Sequence, residues 1–354
     1  MTNQTKNPSQ QADAESPLSG TAHPGTAFLR GQLHRTRATL FGTDSSFLLV
    51  LVMVVLIVVF GILLRDTSFM SPNNFMNIVR QTAAVAVMAV ATVFVISSGE
   101  IDLSFASVPP VAGLVAGTLL SEGQSVPVAA LGALAVGVLI GAVNGAITVL
   151  IRIPSFIVTL GMIGVLEGVA RLMSNGQTIP IGNETYTAFF GSGNLGPVPV
   201  LLLWVVGIGI LGHVALRRSP FGKAVLATGG NEVAARYSGI RTARIKFTVL
   251  LLSGAAGALA GLLYTGQLAS ARYDLGATDL LPTLAAVIIG GTALSGGRGS
   301  VVGAIAGALL VGLVGNGVIL LGFSTAEQQI FTGLIIVMAV ALSARQAGTR
   351  RSLR

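Results

Sequence analysis

Cysteine is absent from all 354 residues, which excludes a disulfide framework, thiolate chemistry and any cysteine metal site. Charge is scarce too: Asp, Glu, Lys and Arg make up 10% of the chain, too few to clothe a water-soluble domain. The three histidines, at 23, 34 and 213, are scattered, so neither a metal site nor a catalytic constellation stands out. The one glycine-rich loop that invites comparison with a nucleotide cradle, 290–300, carries Arg298 where a Walker A motif needs Gly-Lys-Ser/Thr. The chain therefore reads as a non-enzyme with no cofactor of its own, and any energy source lies in another chain. Aromatic residues are only 6%, so the net charge of +8 does not mark a nucleic-acid binder. The basic residues sit in loops, where the anionic cytoplasmic leaflet of a membrane attracts them.

What the chain has in abundance is apolar surface: 52% hydrophobic residues and a mean hydropathy of +0.81. Together with 46 glycines this describes an all-α polytopic membrane protein of closely packed helices in membrane lipid. Met1–Ser46 is polar, without apolar period, and is expected to be a disordered cytoplasmic tail. From there about ten transmembrane spans are expected, interrupted by short broken or re-entrant segments: 47–64, 78–97, 104–120, 126–151, 155–172, 198–216, 247–266, 280–294, 300–321 and 328–342. They form one transmembrane domain, 47–345, followed by a basic cytoplasmic tail, 346–354. With both ends inside, only Arg65, Arg80, Arg171 and Arg272 of the 21 Lys/Arg fall at or beyond the outer side. That bias follows the positive-inside rule.

The polar basic stretch 217–246, with seven of those 21 residues, is the organising segment. Pro220 opens one short helix, Gly229 and Gly230 end it, and Asn231 caps a second, Glu232–Ser238, which Gly239 closes with a left-handed residue. Ala234, Ala235 and Arg236 lie within it. A helix this short is marginal alone and is expected to dock on something.

Two breaks interrupt apolar regions, 97–104 and 290–300, and each joins an apolar helix to a Gly/Ala-rich one, hinting at duplicated halves. Irregular backbone at membrane depth is tolerated only when buried in protein or lining a cavity. Glycines spaced by four, Gly137/Gly141/Gly145 and Gly299/Gly303/Gly307, mark helix faces for close packing. The polar residues that a lipid-facing helix would avoid are Glu100, Asp102, Ser104, Asn144, Glu167 and Asn316, which are candidates for a translocation path. Five of them also have a plainer reading. Glu100 and Asp102 can cap a helix, Asn144 and Asn316 can bond between helices, and Glu167 can pair with Arg171 one turn on. An ion-driven secondary transporter using Glu100, Asp102 and Glu167 is the alternative such carboxylates allow.

GEIDLS at 99–104, GNEVAARYSGI at 230–240 and IGGTALSGGRGSVVGAIAGALL at 289–310 together resemble the permease subunits of ATP-binding-cassette sugar importers. The likeness is to the ribose/xylose/galactose/autoinducer-2 type, more distantly to branched-chain amino-acid permeases, and covers about 47–345. It implies a second permease subunit, a cytoplasmic ATPase that uses the ATP, an extracytoplasmic binding protein and a plasma (inner) membrane location. It also implies that Gly229–Ile240 is the element coupled to the ATPase. The family pattern has a second glycine where this chain has Glu100, and a positive φ there would be expected to strain it.

Overall fold

The computed structural model describes residues 45–334 and 337. The expected basic tail 346–354, and all but the last two residues of the expected tail 1–46, lie outside the described residues. The chain is helical nearly throughout. In order come α1 (Ser45–Leu63), α2 (Pro72–Ser97), α3 (Val108–Ser121), α4 (Val126–Ala146), α5 (Ser155–Ser174), α6 (Glu184–Thr187), α7 (Val200–Arg218), α8 (Pro220–Gly230), α9 (Glu232–Tyr237), α10 (Thr242–Leu268), α11 (Leu280–Ile289) and α12 (Val301–Leu320). A last helix, α13, covers 325–334. Two antiparallel pairs of two residues each, Ile179–Pro180 with Ser270–Ala271 and Asn194–Leu195 with Val198–Pro199, are the only strands among the described residues.

Seven helices are long and apolar enough to cross a membrane, among them α2, α4, α5, α7, α10 and α12. The seventh is α3 extended backward by the 3-10 turn Ser104–Ser107. Of the other three expected spans, 47–64 is covered by the 19-residue apolar helix α1, and 328–342 runs past the described residues. The expected span 280–294 is a helix of only 10 residues, about 15 Å long, half of a bilayer's ~30 Å core. It stops because Gly290 and Gly291 follow, Gly291 with φ +90°, and the Gly291 and Thr292 amides turn back to the carbonyls of Ile288 and Val287.

The centre of the bundle is α2, α3 and α10, buried on most sides, while α4, α5 and α7 expose Leu131, Leu139, Val165, Leu172 and Leu211 outward, as lipid contact requires. The glycine stripes set the helix contacts. A Cβ on Gly141 would stand 2.5 Å from the Leu250 carbonyl, and Gly137 and Gly145 likewise meet Gly254 and Phe247, so the first stripe seats α4 on α10. Gly257 and Gly261 of α10 receive the turn before α3 and Pro109. Gly303 and Gly307 press against Gly290 and Ala286 of the α11 segment, whereas Gly299 lies under Ser97.

The loop between α5 and α7 is ordered by Tyr186, which is fully buried with its hydroxyl 2.7 Å from that of Thr265. Asn183, formally a glycosylation acceptor, instead caps α6 by accepting the Tyr186 N–H. Arg80 donates to Asn194, which places that loop at the same end as the start of α2.

Candidate functional site: a glycine-lined junction at the basic end

The three motifs that are far apart in sequence meet at one place. α2 ends in a Schellman motif: the amides of Gly99 and Glu100 return to the carbonyls of Ile96 and Val95, with Gly99 at φ +86°. The positive φ thus falls on Gly99, and Glu100 is absent from the positive-φ residues. The strain expected at Glu100 does not arise. Beside this end, Gly229 of α8 lies so close that any side chain would strike the Ser97 carbonyl. The Gly297 amide donates to that same carbonyl at 2.9 Å, and a Cβ on Gly297 would stand 2.8 Å from the Gly230 Cα. Arg217 closes the junction by donating to the Gly299 carbonyl, and Phe94 stacks on Phe221 with centroids 6.0 Å apart.

The loop helices form as their caps dictate. Ser219 accepts the Gly222 N–H and Pro220 follows at the first position of α8. Asn231 accepts the Ala234 N–H at 3.0 Å to start α9, and Gly239 (φ +84°) ends it with Ser238 as the C-cap. Ala235 is buried against the body and Ala234 is exposed.

An ion cluster ties α9 to the core. Lys246, at the start of α10, lies 2.8 Å from Glu100 and 2.8 Å from Glu232. Arg236 adds a looser contact to Glu232 at 3.5 Å, and Thr242 donates to it. The hydrogen bond from Lys246, aided by its charge, holds the Glu232 carboxyl below its usual range against a partial desolvation penalty. Glu100 is therefore an ionic anchor at the basic end.

The break that follows Glu100 is buried in protein. Asp102, 3% exposed, accepts the Ser104 N–H and hydroxyl, and Asn144 donates to the Ser104 hydroxyl at 2.9 Å. The amides of Ile101 and Leu103 donate to Ser155 and Thr159 of α5, both at 3.0 Å. Irregular backbone here is satisfied by two hydroxyls that sequence reading passed over, because each also looks like an ordinary helix residue.

The remaining candidates lie apart. Asn316 exchanges two hydrogen bonds with Asn74, joining α12 to α2. Glu167 does not pair with Arg171, which turns over the Tyr273 ring at 5.7 Å instead. Sequence reading also missed Val233 and Tyr237, one turn apart on α9 and 60% and 90% exposed. They are the apolar points of α9 that face away from the protein.

Helical spans whose irregular segments are buried against a polar, glycine-lined junction define a multi-pass membrane protein of the transport class. The model of the family described as "Branched-chain amino acid transport system / permease component" matches residues 74–340, and the chain belongs to that family. It is similar to the ribose import permease protein RbsC of Escherichia coli (strain K12), 37% identical over 321 residues, 89% of this chain and 97% of the relative. It is also similar to the Bacillus subtilis (strain 168) ribose import permease, 36% identical over 83% of this chain and 91% of the relative. The L-arabinose ABC transporter permease protein AraH of Azospirillum brasilense is 33% identical over 86% and 89%. No solved structure matches.

Proposed function

We propose that the chain is the membrane-spanning permease subunit of an ATP-binding-cassette importer and carries a sugar or related small polar solute. The observation that carries this reading is α9: a short capped helix, ionically anchored behind and presenting exposed Val233 and Tyr237 in front. An apolar pair on a helix face suits a groove on a partner protein. The partner is a separate cytoplasmic ATPase, which binds and hydrolyses the ATP. A second permease subunit completes the membrane path, and an extracytoplasmic binding protein supplies the solute. The basic end faces the cytoplasm, and the assembly lies in the plasma (inner) membrane. When the ATPase subunits close, α9 moves as a unit, and the Lys246 cluster and Gly229–Gly297 contact pass that motion to α10, α2 and the 290–300 break. Asp102, Ser104 and Asn144 hold the break in register. The ion-driven alternative is not favoured by the relatives or by Glu100, whose charge is neutralised by Lys246.

Tyr237→Ala tests the reading. It removes only exposed surface, so abundance in the membrane should be unchanged. Co-purification of the ATPase, substrate-stimulated ATP hydrolysis and uptake should fall together. Uptake that persists in cells lacking any partner ATPase would overturn the proposal.

A further inference from the structure

We infer that a groove between α3, α5 and the segment 273–280 is the solute-binding station of the translocation path, and that it takes a neutral polyhydroxylated molecule of monosaccharide size. The inference rests on the importer reading above and adds the site. Ile163, Glu167 and Arg171 follow one another by one helical turn on α5 and line a cavity of about 190 Å³ together with Ser107 and Tyr273. That volume is below the roughly 300–1,000 Å³ of sites for drug-sized ligands, so a single sugar ring is the appropriate size.

The charges say what kind of solute fits. Glu167 is exposed inside an apolar span and has no ion-pair partner among the described residues. A bare carboxylate facing lipid is expensive, so this stripe faces water, while Val165, Val169 and Leu172 cover the other side of α5. Asp274 on the rim is already bound to Arg272 at 2.7 Å. Glu167 and Arg171 remain, and their charges cancel. A solute of one net charge would meet a repelling group as well as an attracting one, which leaves net-neutral solutes. Of these, the importer reading selects the polyhydroxylated class over a zwitterion. Hydroxyl groups can donate to the one and accept from the other, and the Arg171–Tyr273 contact holds the guanidinium in place at the rim. The inner end of the groove is Leu103 and Ser107, in and next to the broken segment whose backbone Thr159 holds. A solute seated there lies directly beside the segment that the junction moves.

The natural absence of cysteine makes the test direct. In the complete transporter in membranes, Ser107→Cys and Glu167→Cys should react with a water-soluble maleimide at least tenfold faster than Val165→Cys. D-ribose, L-arabinose, D-xylose and D-galactose are then tried as protectants and as uptake substrates. The sugar that wild type imports should slow labelling at Ser107→Cys. Glu167→Ala should cut its uptake at low concentration tenfold or more with membrane abundance unchanged, and Glu167→Gln should restore part of it. Labelling no faster than at Val165→Cys, or unchanged uptake kinetics in Glu167→Ala, would overturn the site while leaving the importer reading intact. Import of none of the four sugars by wild type would overturn the sugar reading itself, and the assignment of a polyhydroxylated ligand with it.

Discussion

At the scale of single residues, the junction turns on an asymmetry between Lys246 and Glu100. Lys246 serves two carboxylates, so deleting Glu100 leaves it paired with Glu232. Deleting Lys246 leaves Glu100 buried with no counter-charge, the situation that costs about 3–5 kcal/mol when one partner of a buried pair is removed. Lys246→Met should therefore lower the thermal midpoint of the detergent-purified protein well below that of Glu100→Gln, and equal midpoints would refute the arrangement. Glu232 adds a pH dependence. Its carboxyl is depressed in the folded protein, so its contribution is present above its unfolded value of about 4.3 and is lost as pH falls through the folded one. Pepsin cleavage within 231–246 should stay slow down to about pH 4 and accelerate below it. None of this was legible in sequence. Glu100 looked like a misfit for a glycine because the turn it belongs to takes its left-handed residue one position earlier.

At the scale of elements, a glycine's spacing says less than the space around it. Gly141 and Gly161 both sit in apolar helices, yet a Cβ at Gly141 meets the Leu250 carbonyl at 2.5 Å, while nothing lies within 4 Å at Gly161. Gly141→Val should force α4 off α10 at a cost of about 1–3 kcal/mol, and Gly161→Ala should leave stability level or raised. Thermal midpoints of the two variants decide it, and a larger loss at Gly161 would show that α5 is covered in the isolated chain. The spacing pattern correctly picked the stripe on α4 but could not say which neighbour it served. Caps were more readable. Pro220, Asn231 and Gly239 fix the ends of α8 and α9 by local chemistry alone, which is why the sequence places both helices to within a residue or two. Gly239 has open space around it, so Gly239→Val probes backbone strain only, about 1–2 kcal/mol or more for a branched residue at φ +84°. That loss should show as faster proteolysis of the loop with the membrane helices unaffected.

At the scale of the whole molecule, hydropathy found the long helices and failed where an apolar run hides a break. Residues 280–294 average as a span, but Gly290 stops the helix early and the rest belongs to the junction. Convergence of three distant motifs is a tertiary fact with no local signature, so the sequence could mark each without placing them together. The arrangement nevertheless strengthens the expectation about sidedness. Arg217, Arg236 and Lys246 gather at the junction end with the 290–300 loop, whereas Arg80 bonds to Asn194 in the loop between α5 and α7. The charge bias and the fold thus sort the chain into the same two ends, and the proposal that the junction end is the cytoplasmic one follows from the positive-inside rule. Ser238 and Ser192 are exposed at the two ends and can each become the chain's sole cysteine. In intact cells a membrane-impermeant maleimide should label Ser192→Cys and spare Ser238→Cys, and in inverted vesicles the pattern should reverse. Labelling of both from one side would separate the two ends' assignments and refute the topology from α7 onward, because α7 is the one helix between the two positions long and apolar enough to cross the membrane.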